Sequence, residues 1–273
     1  MEEEYVKILN CLKKYSNSCL ALKPTALISE EHILELSKIM NEKLYYENID
    51  FDKILDATNI SEISKPFLKL SEDAETSGVR ILIDAEQSNL QPGVDLLALF
   101  LMKKFNSKSK KPLIYNTYQM YLKDSPIRLF AHKSWLERKN SKFAAKIVRG
   151  AYLSYESNVQ KTVHPNYAIC SSKDQVDVNY NDAITELYRD GNPSIIVATH
   201  NLESIKVLRN IAFNSRSSLS AEHAYLMGFG DKVKNISSGL KQLEYVPYGP
   251  SDVKIPYLIR RLEENLNIFS NKA

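Results

Sequence analysis

One stretch near the carboxyl end decides the fold: Gln242-Leu-Glu-Tyr-Val-Pro-Tyr-Gly249, followed after a short connection by Tyr257-Leu-Ile-Arg-Arg-Leu-Glu-Glu-Asn265. The run from Leu243 to Val246 predicts a short strand, and the proline and glycine after it predict a turn. The second segment has apolar residues at the spacing of an amphipathic helix. The stretch therefore predicts a strand followed by a helix, which is the repeating unit of parallel α/β folds.

The predicted helix carries two adjacent arginines, Arg260 and Arg261. Neighbouring guanidinium groups form a strong carboxylate receptor, because each donates paired, charge-assisted hydrogen bonds that lysine cannot match. This pair predicts a small carboxylate-bearing substrate beneath the helix. The alternative is an ordinary solvated helix face, on which the arginines pair with Glu263 and Glu264.

The same alternation extends along the rest of the chain. Short apolar runs predict strands at Cys19–Lys23, Val79–Asp84, Pro112–Tyr118, Phe143–Val148, Ser194–Ala198 and Leu219–Tyr225. Helical spacing predicts helices at Tyr5–Tyr15, Ser29–Met40 with Ser29 as its cap, Phe51–Glu75, Leu96–Phe105 after a break at Pro92-Gly93, Ile127–Lys139, Asp182–Arg189, Leu202–Ala212 and Val233–Lys241. The interval from Ser154 to Asp177 has no clear element, which predicts a lid or binding loop.

Polar or ionisable residues close nearly every predicted strand. These residues are Lys23, Asp84, Asn116, Arg149, His200 and Tyr245. In a (β/α)8 barrel, the residues of the active site lie on the loops that follow the strands. Residues 1–273 therefore predict a single α/β domain, a distorted or incomplete TIM-like barrel with seven recognisable strands and the final helix over its carboxyl face.

Several classes of protein are disfavoured by composition and motifs. A net charge of +3 is too small and dispersed for a nucleic-acid partner. The cysteines form no C-x-x-C pair, and no sequence motif of a metal site, a serine hydrolase or a phosphate loop occurs, so His200 and His223 are interpreted as hydrogen-bonded structural histidines. No apolar run reaches the roughly 18 residues of a membrane span. The acidic start, Met1 to Tyr5, is unlike a targeting segment.

The strand ends offer cations, carboxamides, hydroxyls and aromatic rings without a nucleophile and partner base. Such a lining suits a bound cofactor that performs the chemistry. Lys23 admits another interpretation, a Schiff-base nucleophile, if its amine is desolvated. A third is a plain ion pair between Lys23 and Asp84.

Five segments, in this order and spacing, resemble the FAD-dependent proline dehydrogenases of eukaryotic type. They are Ile83-Asp-Ala-Glu-Gln87, Asn116-Thr-Tyr-Gln-Met-Tyr-Leu-Lys123, Lys146-Ile-Val-Arg-Gly-Ala-Tyr-Leu153, Val197-Ala-Thr-His-Asn201, and Tyr245-Val-Pro-Tyr-Gly249 with Tyr257-Leu-Ile-Arg-Arg-Leu-Glu-Glu-Asn265. The resemblance covers about Leu20 to Asn265. It favours the carboxylate-receptor interpretation of the arginine pair.

The resemblance implies oxidation of L-proline to 1-pyrroline-5-carboxylate, with hydride transfer to FAD and electrons passed to a quinone. It implies a mitochondrial location and peripheral membrane association. It places the proline carboxylate on Arg260 and Arg261, with Lys23, Asp84, Tyr152, Tyr245 and Tyr257 completing the pocket; of these, Lys23, Asp84, Tyr245 and both arginines are implied to be catalytic. The implied FAD contacts are Asn116, Lys146, Arg149, Gly150, Ala151, Thr199, His200, Asn201, Leu226 and Glu264. Because the amine must be neutral to release hydride, turnover is expected to rise with pH.

The chain departs from the family pattern in three respects. A first strand with an Asp-Leu-Leu-Gly-Glu-like segment is missing before the first helix, which implies an N-terminally truncated barrel. Tyr225 and Phe229 replace the glutamine and methionine of a Gln-Leu-x-Gly-Met motif, and Val176 stands where threonine is usual. An alternative is therefore an inactive relative that does not hold FAD.

Overall fold

A computed structural model of the 273-residue chain describes residues 1–41, 49–108, 110–153, 155–157, 169–191, 194–214 and 221–264. Within these ranges it leaves out the side chains of Asp231, Lys232, Val253, Arg260 and Glu264. The chain divides into two compact units, residues 1–195 and 196–273.

The first unit contains a parallel sheet in which the strands follow the order of the chain. Its strands are β1 (Cys19–Leu22), β2 (Arg80–Ile83), β3 (Ile114–Gln119) and β4 (Ala145–Val148). Neighbouring strands are in register at Ala21 and Leu82, at Leu82 and Tyr115, and at Thr117 and Lys146. Every residue of β3 is buried, which is why this strand lacks the alternation of a half-exposed strand.

Helices precede β1, connect the strands and follow β4. They are α1 (Glu2–Leu12), α2 (Glu30–Asn41), α3 (Phe51–Asp56), α4 (Ile60–Ile63), α5 (Lys65–Ser77), α6 (Gln91–Phe105), α7 (Ser125–Arg138) and α8 (Lys173–Arg189), with a 3-10 turn at Pro24–Ala26. As predicted, Ser29 caps α2, because its hydroxyl accepts the amide N–H of His32 at 3.4 Å. The apolar side chains of α6 pack inward along most of its length.

The second unit repeats the alternation. Its elements are β5 (Ile195–Ala198), which starts at the boundary, α9 (Leu202–Asn214), β6 (Glu222–Leu226), α10 (Gly230–Lys234), β7 (Lys241–Tyr245) and α11 (Ser251–Glu264). β6 pairs in parallel with both β5 and β7. Over the described residues, the predicted alternation of helices with seven parallel strands is confirmed.

Several predicted boundaries were wrong, each for a local reason. Pro92 and Gly93 open α6 instead of breaking it, because a proline in the first turn gives up no helical hydrogen bond. A methyl group on Gly93 would lie 2.3 Å from the carbonyl oxygen of Ile33, so this glycine allows α6 to pack against α2. The helix predicted at Phe51–Glu75 is three helices, α3, α4 and α5, and the last begins at a proline turn.

Helix α8 begins inside the interval predicted to be a loop. The hydroxyl of Ser172 accepts the amide N–H of Gln175 at 3.2 Å and caps the helix. Residues 158–168 of that interval lie outside the described residues. α10 ends at Lys234, and turns fill the interval to β7, where helix had been predicted; α11 begins at Ser251, earlier than predicted. No helix in the described ranges is both long and apolar enough to cross a membrane.

Candidate functional site

In the first unit, ionisable residues gather where the parallel strands end. Lys23 directly follows β1, Asp84 and Glu86 follow β2, and Arg149 follows β4. Because parallel strands end at the same edge of their sheet, these residues share that edge. The strand-end prediction is confirmed for these positions.

The two carboxylates that follow β2 pair with cations in a different way from the sequence-based interpretation. Asp84 pairs with Lys146, whose side chain is 13% exposed. Lys23 instead has its Nζ 3.6 Å from Oε2 of Glu86, so the proposed Lys23–Asp84 ion pair was wrong. Lys23 lies next to Thr25, whose amide N–H and hydroxyl both donate to the carboxylate of Glu86. The side chain of Lys23 is 53% exposed, which does not supply the desolvation that a Schiff-base lysine requires.

Glu86 is buried and accepts several hydrogen bonds. Its Oε1 accepts the amide N–H and the hydroxyl of Thr25 at 3.2 and 2.6 Å. Its Oε2 accepts the hydroxyl of Tyr152 at 3.0 Å. The carboxylate therefore ties together loops that follow β1, β2 and β4.

The loop after β4 packs tightly on the end of β3. Gly150 has φ +127°, and a methyl group there would lie 2.0 Å from the ring of Tyr121, so only glycine fits. Gln119 donates from Nε2 to the carbonyl oxygen of Glu86 at 2.8 Å and accepts the amide N–H of Ala151 at 3.3 Å. Sequence reasoning missed Gln119, although it stands in one of the quoted segments.

Arg149 is held by α8. Its Nε and Nη2 donate to Oδ1 of Asp177 at 2.8 and 2.6 Å, and Lys173 donates to Oδ2 at 2.6 Å. Burial raises the pKa of Asp177, but these two cations outweigh burial and leave its pKa below the ordinary value. The guanidinium carbon lies 4.3 Å from the ring centroid of Tyr180, a cation–π contact. This arginine is therefore fixed in orientation.

Asn116 lies inside β3 and not at its end, because the strand extends to Gln119. It is fully buried, and its amide donates to Oδ1 of Asp95 at 2.8 Å. The side chain is thus engaged with α6. Its contact with FAD stays a prediction.

Tyr5 is a further member of this edge that sequence reasoning missed. Its hydroxyl oxygen accepts the amide N–H of Lys23 at 3.4 Å. Burial, together with the charges of Asp84 and Glu86, raises the pKa of Tyr5. α1 precedes β1 and brings its amino end to this edge, and nothing in the helical spacing of Tyr5 distinguishes it from a packing residue.

In the second unit, the end of β5 carries Thr199, His200 and Asn201. Nε2 of His200 accepts the amide N–H of Leu226 at 3.0 Å, and its ring stacks on Phe229 at 4.9 Å. His223 hydrogen-bonds through Nε2 to the carbonyl oxygen of Thr199 at 2.8 Å. Both histidines bond to the backbone, as the structural interpretation predicts.

The departures from the family pattern lie in apolar or aromatic contacts. Val176 joins a cluster with Tyr121, Leu122 and Cys170. Tyr225 packs with Ile205 and Val233, and Phe229 stacks on His200. Each replacement thus has packing partners that suit its apolar surface.

Tyr245, the last residue of β7, faces Tyr257 of α11 with ring centroids 6.3 Å apart. The guanidinium carbon of Arg261 lies 5.5 Å from the ring centroid of Tyr257. The structure thus brings three predicted pocket residues together. The predicted roles of Arg260 and Glu264 concern side chains outside the described residues.

Comparison with known proteins points to one family. Residues 2–271 match the family model described as proline dehydrogenase. Proline dehydrogenase 2, mitochondrial, of Arabidopsis thaliana is 35% identical over 212 residues, which are 73% of this chain and 44% of the relative. Proline dehydrogenase 1, mitochondrial, of Homo sapiens is 32% identical over 214 residues, 73% of this chain and 34% of the relative. Carbapenem antibiotics biosynthesis protein CarD of Pectobacterium carotovorum is 36% identical over 211 residues, which are 75% of this chain and 53% of the relative.

Solved structures show the fold. Proline utilization A from Bdellovibrio bacteriovorus, inactivated by N-propargylglycine, matches 97% of this chain and 28% of its own with a TM-score of 0.78 and 19% identity. The fold is therefore α/β of the TIM-like barrel type, as predicted. The chain spans about a third to a half of the length of the curated relatives described above.

Proposed function

Because the chain belongs to the proline dehydrogenase family, we propose that it oxidises L-proline to 1-pyrroline-5-carboxylate with FAD as its cofactor. The observation that carries the proposal is the strand-end cluster of the first unit. There, Lys23, Asp84, Lys146, Arg149 and Tyr152, all expected from sequence to serve proline or flavin, are held by ion pairs and hydrogen bonds.

The groups present suit a flavin. FAD, when bound, supplies the oxidant that accepts a hydride from the carbon next to the proline nitrogen. Lys146 and Arg149 are oriented cations, and cations stabilise the negative charge of a reduced flavin. In the second unit, Asn201 caps the start of α9 by accepting the amide N–H of Ser204 at 3.1 Å, and helix starts favour phosphate.

The substrate is proposed to bind through its carboxylate and its ring. Arg260 and Arg261 would each donate paired hydrogen bonds to the carboxylate. Arg261 is half-buried beside Tyr257, and burial strengthens its attraction for an anion. The rings of Tyr245 and Tyr257 offer apolar surface to a pyrrolidine. In the first unit, Lys23 and Tyr152 are proposed as further substrate-binding residues.

We further propose a quinone as the electron acceptor, a mitochondrial location and peripheral membrane association. The location rests on relatives that are named mitochondrial.

The proposed membrane association rests on helix α11, which exposes Ile255, Ile259 and Leu262 at helical spacing, beside Lys254. Such a face suits an anionic lipid surface. Sedimentation with anionic phospholipid vesicles should recover the protein, and recovery equal to that of I259E would reject this surface.

Purified protein tests the proposed function. We expect yellow material with a flavin absorbance band that oxidises L-proline with a quinone or dye acceptor, and a product that condenses with 2-aminobenzaldehyde. Colourless, aggregating protein would favour the inactive relative instead. A yellow protein that yields no such product would reject proline as the substrate.

A further inference from the structure

A single carboxylate controls two predicted pocket residues at the strand-end edge of the first unit. Oε2 of Glu86 accepts the hydroxyl of Tyr152 at 3.0 Å and lies 3.6 Å from Nζ of Lys23. Oε1 accepts both the hydroxyl and the amide N–H of Thr25, at 2.6 and 3.2 Å. The spacing between the ammonium of Lys23 and the hydroxyl of Tyr152 is thus set by one oxygen atom.

Glu86 can serve as a fixed point because its own backbone is anchored. Its N–H donates to Oε1 of Gln91 at 2.9 Å, and its carbonyl oxygen accepts Nε2 of Gln119 at 2.8 Å. The side chain is only 3% exposed, whereas that of Lys23 is 53% exposed. A long, exposed lysine has many rotamers, and a buried counter-charge restricts them.

We propose that Glu86 is a positioning residue of the proline pocket, which sets the ammonium of Lys23 and the hydroxyl of Tyr152 in place before the substrate arrives. This inference rests on the proposed function. Glu86 does not touch the substrate in this account. It reduces the ordering that substrate binding would otherwise require, so its loss weakens binding more than it slows the chemical step.

The replacement E86Q separates positioning from general support of the fold. Glutamine keeps the shape and can still accept from Thr25 through Oε1, but its amide removes the charge opposite Lys23 and the acceptor for Tyr152. We expect KM for L-proline to rise roughly tenfold, as for the loss of one charge-assisted hydrogen bond, with kcat and flavin content close to wild type. KM unchanged, or kcat lowered at constant KM, would overturn the proposal.

A matched control is available in the second unit. Glu222, the first residue of β6, is also buried, and its Oε1 accepts from Nζ of Lys241 at 2.7 Å. E222Q removes a similar charge at the opposite end of a strand, so KM should stay at the wild-type value. An equal rise in both variants would show a general effect of losing a buried carboxylate and would reject the special role of Glu86.

Two further variants test the route and the anchoring. If Glu86 acts partly through Tyr152, E86Q should raise KM less in a Y152F background than in wild type, whereas full additivity would reject that route.

Hydrogen exchange at the amide of Thr25 should be faster in E86A, with or without activity. Wild-type protein that fails to oxidise proline rejects the proposed function, while unchanged exchange at Thr25 in E86A separately rejects the anchoring.

Discussion

Carboxylates hold three cations of the first unit in place. Asp84 holds Lys146, Asp177 holds Arg149, and Glu86 holds Lys23. Each of these cations is a residue that the sequence assigned to proline or FAD. The pairing holds these cations in defined positions, which is the arrangement that electrostatic preorganisation requires.

At the same scale, His132 is expected to make stability depend on pH. Its ring is fully buried beside Tyr118, and burial lowers its pKa to about 4. Between about pH 4 and the ordinary histidine value near 6.5, the unfolded chain binds more protons than the folded one. The free energy of unfolding should therefore fall as pH falls through this window, by up to about 1.4 kcal/mol per pH unit for one histidine.

Urea unfolding at pH 7 and pH 5 measures this effect. H132N should show a smaller loss of stability on acidification than wild type. A loss of the same size in both proteins would contradict the assignment to this residue. Burial also lowers the pKa of His223, so part of the wild-type dependence should persist in the variant.

Individual site residues differed in how far sequence could place them. Lys23, Asp84 and Arg149 follow strands whose apolar runs are unmistakable, so their common edge followed from the parallel topology. The partner of Lys23 was mispredicted, because a choice between two carboxylates depends on loop conformation. Tyr5 and Gln119 were missed, since one lies on a helix and the other carries no charge or reactive group to mark it.

At the scale of elements, a buried polar network joins α6, α7 and β3. Asp95 on α6 accepts from Gln91 and Asn116, each at 2.8 Å, and pairs with Arg128 on α7. The side chains of Asp95 and Arg128 are 1% and 4% exposed. Without Asp95, the buried guanidinium of Arg128 would keep Asp124 as a counter-charge, at 3.0 Å from its Nε, while Gln91 and Asn116 would lose their acceptor.

D95A should accordingly lower the free energy of unfolding by about 3 kcal/mol, since Asp124 still pairs with Arg128. E62A, which removes an exposed pair with Lys65, serves as the control and should have little effect. Chemical denaturation of both variants provides the comparison. Equal stabilities of D95A and E62A would show that the network does not hold these elements together.

Hydrophobic periodicity predicted most of the helices and strands. The errors occurred at residues such as proline and serine, which can either begin a helix or belong to a turn or loop. Pro92 opens α6, although a proline within an apolar run can also end a helix. Ser172 caps α8 inside a polar stretch that resembles a loop. Tertiary packing determines whether such a residue begins a helix, as the close approach of Gly93 to Ile33 shows. The packing partners are distant in sequence, so local patterns do not reveal them.

At the scale of the whole molecule, family membership and structural likeness agree. The family match spans residues 2–271, and the structural match covers 97% of the chain. The first compact unit carries the predicted site residues Lys23, Asp84 and Lys146, and the second carries Tyr245, Tyr257 and the arginine pair.

Anaerobic titration of the yellow protein, followed at the flavin absorbance band, tests the central claim most directly. The account predicts that L-proline bleaches the band, whereas L-prolinamide, which keeps the ring and amine but lacks the carboxylate, bleaches it only at much higher concentration. Bleaching by both compounds at the same concentration, or by neither, would contradict carboxylate-directed oxidation of proline.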